Sequence, residues 1–155
     1  GNSNHSTNIQ MNSITTPTIQ IHNETNLEPK LDLNQIIKKI LALKHIKTGQ
    51  FEFNFITNDT IIPLNTKYKK HNEPTDILTF NLEEPGKPIH GDIYISLEQA
   101  KDNAKEYGKT FEEEVTLLII HGILHLLGYN DIKDKEKKEM EKEQEKLLKH
   151  VNNFQ

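Results

Sequence analysis

The most apolar stretch of this chain runs from Val115 to Leu127, contains two histidines and is followed by a glycine. Charged residues make up 27% of the 155 positions, so this stretch must supply much of any hydrophobic core. Thr110 and Glu113 have the spacing of a capping box, and Gly128 is a typical residue after a helix end. The pattern therefore predicts one long, buried helix that Thr110 caps and Gly128 ends.

The rest of the chain interleaves strand and helix patterns. Alternating residues predict strands at "TIQIHN", "FEFNFIT", "TDILTFNL" and "GDIYIS". Helical spacing predicts further helices at about 33–43, 97–107 and 132–150. A short helix is also expected with Asn58 or Asp59 as its cap and Pro63 in its first turn. Because no strict βαβ repeat is present, we predict a single α+β domain in which a small mixed sheet packs with helices.

The N-terminal residues contain almost nothing that a core could bury. Residues 1–16 are therefore predicted to form a flexible tail, and residues 17–152 to form the domain. We hypothesise that Met11 is the native start and that residues 1–10 are left over from expression.

Composition limits the chemistry that is open to the chain. It has no cysteine and, on inspection, no arginine, so a metal site must use His, Asp or Glu, and every cationic side-chain contact with phosphate must come from lysine. A net charge of −4 means that nucleic-acid binding would need a local basic patch or a metal. No apolar segment has the length of a membrane span and no signal peptide is visible, so we expect a cytoplasmic protein without membrane contact.

His121 and His125 are four residues apart and therefore share one face of the predicted helix. Two imidazoles at this spacing can bind one metal ion. The alternative is a pair of core histidines bonded to backbone carbonyls. Helical carbonyls are already engaged, however, and burying an unpartnered imidazole is unfavourable. The pattern favours a metal site and leaves the core alternative open.

Gly122 stands where the zinc peptidase motif H-E-x-x-H has the glutamate that serves as general base. The histidine pair is thus present without the peptidase base. Gly122 either leaves space beside a metal for a bulky group or allows close packing of the helix on a strand. Gly128 can adopt a positive φ and turn the chain back, so that Asn130 or Asp131 reaches the metal.

These motifs resemble the YbeY family of bacterial rRNA maturation factors. "HGILHLLGYND" is similar to the family pattern H-G-x-L-H-L-x-G-Y-D-H, and "LNTKYKKHNEPTDILTF" and "GDIYIS" resemble two further family segments. The resemblance covers residues 19–148. It implies a zincin-like metal helix and a metal-dependent endoribonuclease that acts on single-stranded RNA in small-subunit rRNA 3′-end maturation and ribosome quality control. It also implies the small ribosomal subunit, its proteins and the GTPase Era as partners.

The third histidine of the family pattern aligns with Asp131. The resemblance therefore implies that His121, His125 and Asp131 bind one divalent metal. Zinc is the first expectation, and the carboxylate widens the choice to iron, manganese or nickel. Asp131 could instead cap the following helix. His71 and His90 are the reserve ligands.

Lys69 aligns with an arginine of the family pattern. It keeps the positive charge but loses the planar fork, so it is expected to act as a point charge in catalysis beside His121 and His125. The alternative is that Lys69 belongs to the solvated end of a lysine-rich helix. The changes at Lys69 and Asp131 also keep a second function open, a ribosome-assembly binding factor with a mainly structural metal. A peptidase is disfavoured by Gly122.

Four further residues in the matching motifs have competing interpretations. Thr75 and Asp76 either enter a strand or line a cleft. Asp92 is assigned to structure first. Tyr129 is expected to pack over the metal helix rather than to stack on a base.

Overall fold

The computed structural model describes residues 16–69 and 75–152. Its elements in this part are β1 Thr18–Asn23, α1 Leu33–Leu43, β2 Gln50–Ile56, α2 Asn58–Lys69, β3 Ile77–Asn81, β4 His90–Ser96, α3 Leu97–Glu106, α4 Phe111–Leu126 and α5 Asp134–Asn152. The predicted tail lies outside the described residues except for Thr16, so that prediction and the domain limits stay untested. None of the described helices has the length and apolar character that a membrane crossing requires.

The four strands form one sheet in the order β1-β2-β4-β3. The first three strands in this order are parallel, with Phe53 of β2 beside Ile21 and Ile93, whereas β3 runs antiparallel to β4. This mixed sheet with helices confirms the predicted α+β class.

The alternation in β2 places its three phenylalanines on one buried face of the sheet, as predicted. The fully buried side chains at the centre of this face are each at most 1% exposed and comprise Phe51, Phe53, Phe55, Ile93 and Ile95. They pack with apolar residues of α1, α4 and α5 in one cluster. Since burying each such side chain contributes about 1.5–3 kcal/mol, this face holds α4 firmly against the sheet.

The predicted capping box starts α4. The Thr110 hydroxyl accepts the backbone N–H of Glu113, and the Glu113 carboxylate accepts that of Thr110 at 2.9 Å. At the other end Leu127 is the C-cap residue, and Gly128 follows with a φ of +100°. A side chain with a Cβ atom rarely adopts this φ, so the glycine permits the turn that redirects the chain after α4.

The start of α2 differs from the prediction. The helix already begins at Asn58, so neither Asn58 nor Asp59 caps it, and Pro63 lies in its second turn. The carboxylate of Glu98, at the start of α3, accepts the backbone N–H of Asn58 at 2.6 Å. The acceptor at this helix start therefore comes from another element, which no local pattern could indicate.

Candidate metal centre and its cavity

The two histidines of α4 face each other at the edge of the sheet. Their Nε2 atoms are 2.9 Å apart, and the ring centroids are separated by 4.5 Å. Both side chains are half-buried, so one side of the pair remains accessible. The i and i+4 spacing thus brings the two imidazoles together as predicted.

Asp131 joins this pair. One carboxylate oxygen of Asp131 and one ring nitrogen from each of His121 and His125 all lie within 4.8 Å of one another. The turn at Gly128 makes this approach possible because it directs the exposed Asp131 back along α4. Asp131 precedes the first residue of α5 by three positions, so it is not placed as the cap of that helix.

The donor set fits a divalent transition metal. Two imidazole nitrogens and one carboxylate oxygen are the ligands that catalytic zinc sites use, and the same set accepts iron or manganese. Donors on one tetrahedral ion at about 2.1 Å lie roughly 3.4 Å apart. The three donor atoms all lie within 4.8 Å of one another, so they are near enough to converge on one ion. His90 lines a different cavity, and His71 lies outside the described residues.

A cavity of about 410 Å³ opens beside these three side chains. Its other walls come from α2, from the segment before β3 and from β3 itself, and they comprise Asn65, Thr75, Asp76, Ile77, Leu78 and Thr79. Thr75 and Asp76 therefore line a cleft, which was one of the two interpretations of these residues. Lys69 is the last residue of α2, and its side chain is not among those that the structure describes.

Two acidic residues, the half-buried Asp76 and the buried Glu114, lie close enough to interact. Burial raises the pKa of Asp76, although hydrogen bonds and the nearby His121 oppose the shift. Burial and the charge of Asp76 also raise the pKa of Glu114, which is 5% exposed. The side-chain amide of Asn103 donates to Asp76 at 3.0 Å. The cavity wall thus includes Asp76, whose charge a bound cation would offset.

The side chain of Lys44 links two helices to Tyr129, which lies two residues before Asp131. The Lys44 ammonium donates to the hydroxyl of Tyr129 and to the carboxylate of Glu143, each at 2.9 Å. It also lies 5.0 Å from the centre of the Tyr129 ring. These contacts join α1, the turn after α4, and α5. Tyr129 packs against the main core as expected.

Sequence reasoning missed the residue that contacts the outer ring nitrogen of His121. The side-chain oxygen of Gln144, in α5, lies 2.5 Å from Nδ1 of His121. Position 144 falls in the buried stripe of α5 that includes Met140, Leu147 and Val151. A polar residue at helical spacing within an apolar stripe was the available signal.

Gly122 packs against the sheet rather than leaving space beside the metal site. A Cβ atom built at this position would lie 3.0 Å from Cδ1 of Ile77 and 3.3 Å from Cγ2 of Ile93. The glycine thus lets α4 approach β3 and β4 closely, which decides between the two interpretations of Gly122.

Asp92 has a structural environment, in agreement with its assignment. It accepts hydrogen bonds from the Asn54 amide and the Tyr94 hydroxyl, each at 2.8 Å. Burial and the bond to Asp92 raise the pKa of Tyr94 to about 12. These bonds link β2 and β4 and do not involve the residues that line the cavity around the histidines.

Comparisons with known proteins agree with these motifs. The family model described as "Endoribonuclease YbeY" matches residues 18–152. The endoribonuclease YbeY of Geobacillus thermodenitrificans is 36% identical over 138 residues, which cover 81% of this chain and 88% of that protein. The one from Thermotoga petrophila is 37% identical over 123 residues, which cover 79% and 77%. A solution structure of a Thermotoga maritima protein superposes with a TM-score of 0.63 at 35% identity, covering 86% of this chain and 89% of that one.

Proposed function

Because this chain belongs to the YbeY family of endoribonucleases, we propose that it cleaves single-stranded RNA with the help of a bound divalent metal ion. The observation that carries the proposal is the convergence of His121, His125 and Asp131 beside an open cavity. This arrangement supports a hydrolase because the cavity leaves room for a substrate group next to the metal-binding side chains.

Each side chain of the site has a distinct role in the proposal. His121 and His125 hold the ion through Nε2 and are catalytic residues because the ion they hold takes part in the reaction. Asp131 provides the third ligand. A bound ion would supply a Lewis acid that neutralises a phosphate oxygen and acidifies water. Zinc is the ion we propose, since it accepts this donor set in tetrahedral geometry. Lys69 adds a positive charge for the transition state.

An exposed tyrosine supports a single-stranded substrate. Tyr68 lies three residues after the cavity residue Asn65 on α2, and 53% of its surface is exposed. The ring of Phe80 supports it at 5.4 Å, and the Lys67 ammonium lies 5.1 Å from its centre. An unpaired base can stack on such a ring while lysine contacts the backbone, whereas a base within a duplex is not available for stacking.

We propose that the chain acts in the cytoplasm on the 3′ end of small-subunit rRNA, in maturation and ribosome quality control. Its partners would be the small ribosomal subunit, its proteins and the GTPase Era. The net charge of −4 supports docking on such an assembly, because an acidic surface binds free RNA weakly.

Cleavage of a defined RNA by native, chelated and zinc-restored protein tests the function. We expect the native and restored samples to cut the single strand, the chelated sample to be inactive, and a duplex of the same sequence to resist all three. Analysis of the product ends will show whether water or the RNA 2′-hydroxyl attacks. Equal cleavage by the native and chelated samples would instead indicate a contaminating nuclease. Stoichiometric metal without any cleavage would support the ribosome-assembly binding factor.

Replacing Asp131 with alanine is expected to lower zinc affinity by about 100-fold or more, because loss of a supporting residue alone costs 10–100-fold. Competition with a chelator of known affinity measures this change. Asp134→Ala is the matched control, since Asp134 lies in the first turn of α5 and outside the donor group. We expect that control to affect only helix stability, by about 0.3–1 kcal/mol. Unchanged zinc affinity in Asp131→Ala would exclude Asp131 as a ligand.

A further inference from the structure

We propose that Gln144 is the positioning residue of the metal centre, holding the proton of His121 on Nδ1 and thereby leaving Nε2 available to the metal. This inference deepens the proposed function and depends on it, because it assumes that His121 is a metal ligand.

Hydrogen-bond chemistry determines where the proton lies. The side-chain oxygen of Gln144 only accepts hydrogen bonds, so Nδ1 of His121 must donate in the contact between them. A neutral imidazole carries one N–H, and the other nitrogen keeps its lone pair. In His121 that nitrogen is Nε2, which lies 2.9 Å from Nε2 of His125. One ring nitrogen of each histidine forms the donor group with Asp131.

The packing of α5 holds the amide in place. Gln144 occupies the same stripe as the buried Met140, Leu147 and Val151, so it points towards α4 rather than into solvent. Its neighbour Glu143 makes the salt bridge to Lys44 at 2.9 Å. The helix therefore cannot rotate about its axis without losing core contacts and this ion pair, and the amide oxygen keeps its direction towards His121.

Burying a polar side chain within an apolar stripe lowers stability unless the side chain forms a hydrogen bond. A leucine at position 144 would extend the apolar contacts of α5, whereas glutamine must find a partner to offset its desolvation. The partner that it finds is the ring nitrogen of a proposed ligand. Metal-binding histidines commonly donate their second ring N–H to an acceptor that fixes their orientation, and Gln144 meets that requirement.

Two substitutions distinguish a positioning role of Gln144 from a purely structural contact between α5 and α4. Gln144→Leu removes the acceptor but keeps the size and helix propensity, and Gln144→Glu keeps an acceptor at the same place. Glu145→Leu is the control, because Glu145 is the exposed neighbour on the same helix. ¹⁵N NMR of the metal-free proteins at a pH where imidazole is neutral reports the His121 tautomer, and chelator competition reports zinc affinity.

We expect His121 to be protonated on Nδ1 in the unsubstituted protein, in Gln144→Glu and in Glu145→Leu. In Gln144→Leu we expect a mixture of tautomers and zinc affinity lowered by roughly 10–100-fold. An Nε2-protonated His121 in the unsubstituted protein would overturn the proposal. So would a Gln144→Leu variant that keeps the original tautomer, whether or not its affinity falls. Neither readout uses RNA cleavage, so a protein that binds zinc but cuts no RNA would refute the proposed function alone.

Discussion

Replacing His125 with alanine is expected to abolish stoichiometric zinc binding and to lower cleavage of single-stranded RNA by about 1,000-fold. The substitution removes one of two facing imidazoles and leaves His121 and Asp131 as the remaining members of the donor group. A metal contributes several kcal/mol to stabilising transition-state charge, and about 4 kcal/mol corresponds to a factor of 1,000 in rate. Metal analysis of the dialysed protein and initial rates on a defined RNA measure the two effects.

His90→Ala is the matched control for the His125 substitution. His90 is also half-buried, but it lines a separate cavity at the start of β4. We expect it to keep both zinc and activity. Urea unfolding of the two metal-free variants should show that both fold, because each side chain lies at the surface of a cavity rather than in the core. If His125→Ala cleaved RNA as fast as His90→Ala, a catalytic centre on α4 would be excluded.

Replacing Gly122 with glutamate is expected to destabilise the protein by about 4 kcal/mol and to give no peptidase activity. The change recreates the letters of the zinc peptidase motif, but position 122 packs against Ile77 and Ile93 and is not among the residues that line the cavity. Overpacking a close helix–strand contact costs about 1–3 kcal/mol. Burial of a carboxyl group without partners adds roughly 1–3 kcal/mol. Urea denaturation of the metal-free proteins measures the loss of stability.

Gly122→Ala shows how much of this loss of stability comes from adding a Cβ atom alone. A single Cβ atom would press on the flexible end of Ile77, while alanine favours the helix by about 1 kcal/mol over glycine. We therefore expect a net change of about 1 kcal/mol or less. A Gly122→Glu variant as stable as the alanine variant would mean that position 122 is open to solvent, contrary to the observed packing.

Much of this protein follows from short-range patterns that the sequence contains. Phe51, Phe53 and Phe55 occupy one face of β2 because successive strand residues point to opposite sides. Thr110 and Glu113 form the predicted capping box because both partners lie within one helical turn. His121 and His125 face each other for the same reason, since four residues bring a helix back to the same side.

Other features were decided only by the tertiary structure, because they join residues that are distant in the chain. Glu98 accepts the N–H of Asn58 from 40 residues away and so sets the start of α2. Gln144 reaches His121 across 23 residues because α5 packs beside α4. The sequence by itself determined that two imidazoles share a helix face. Only the packing of the helices on the sheet decided which side chains surround them, because local periodicity sets the direction of a side chain but not the element that it meets.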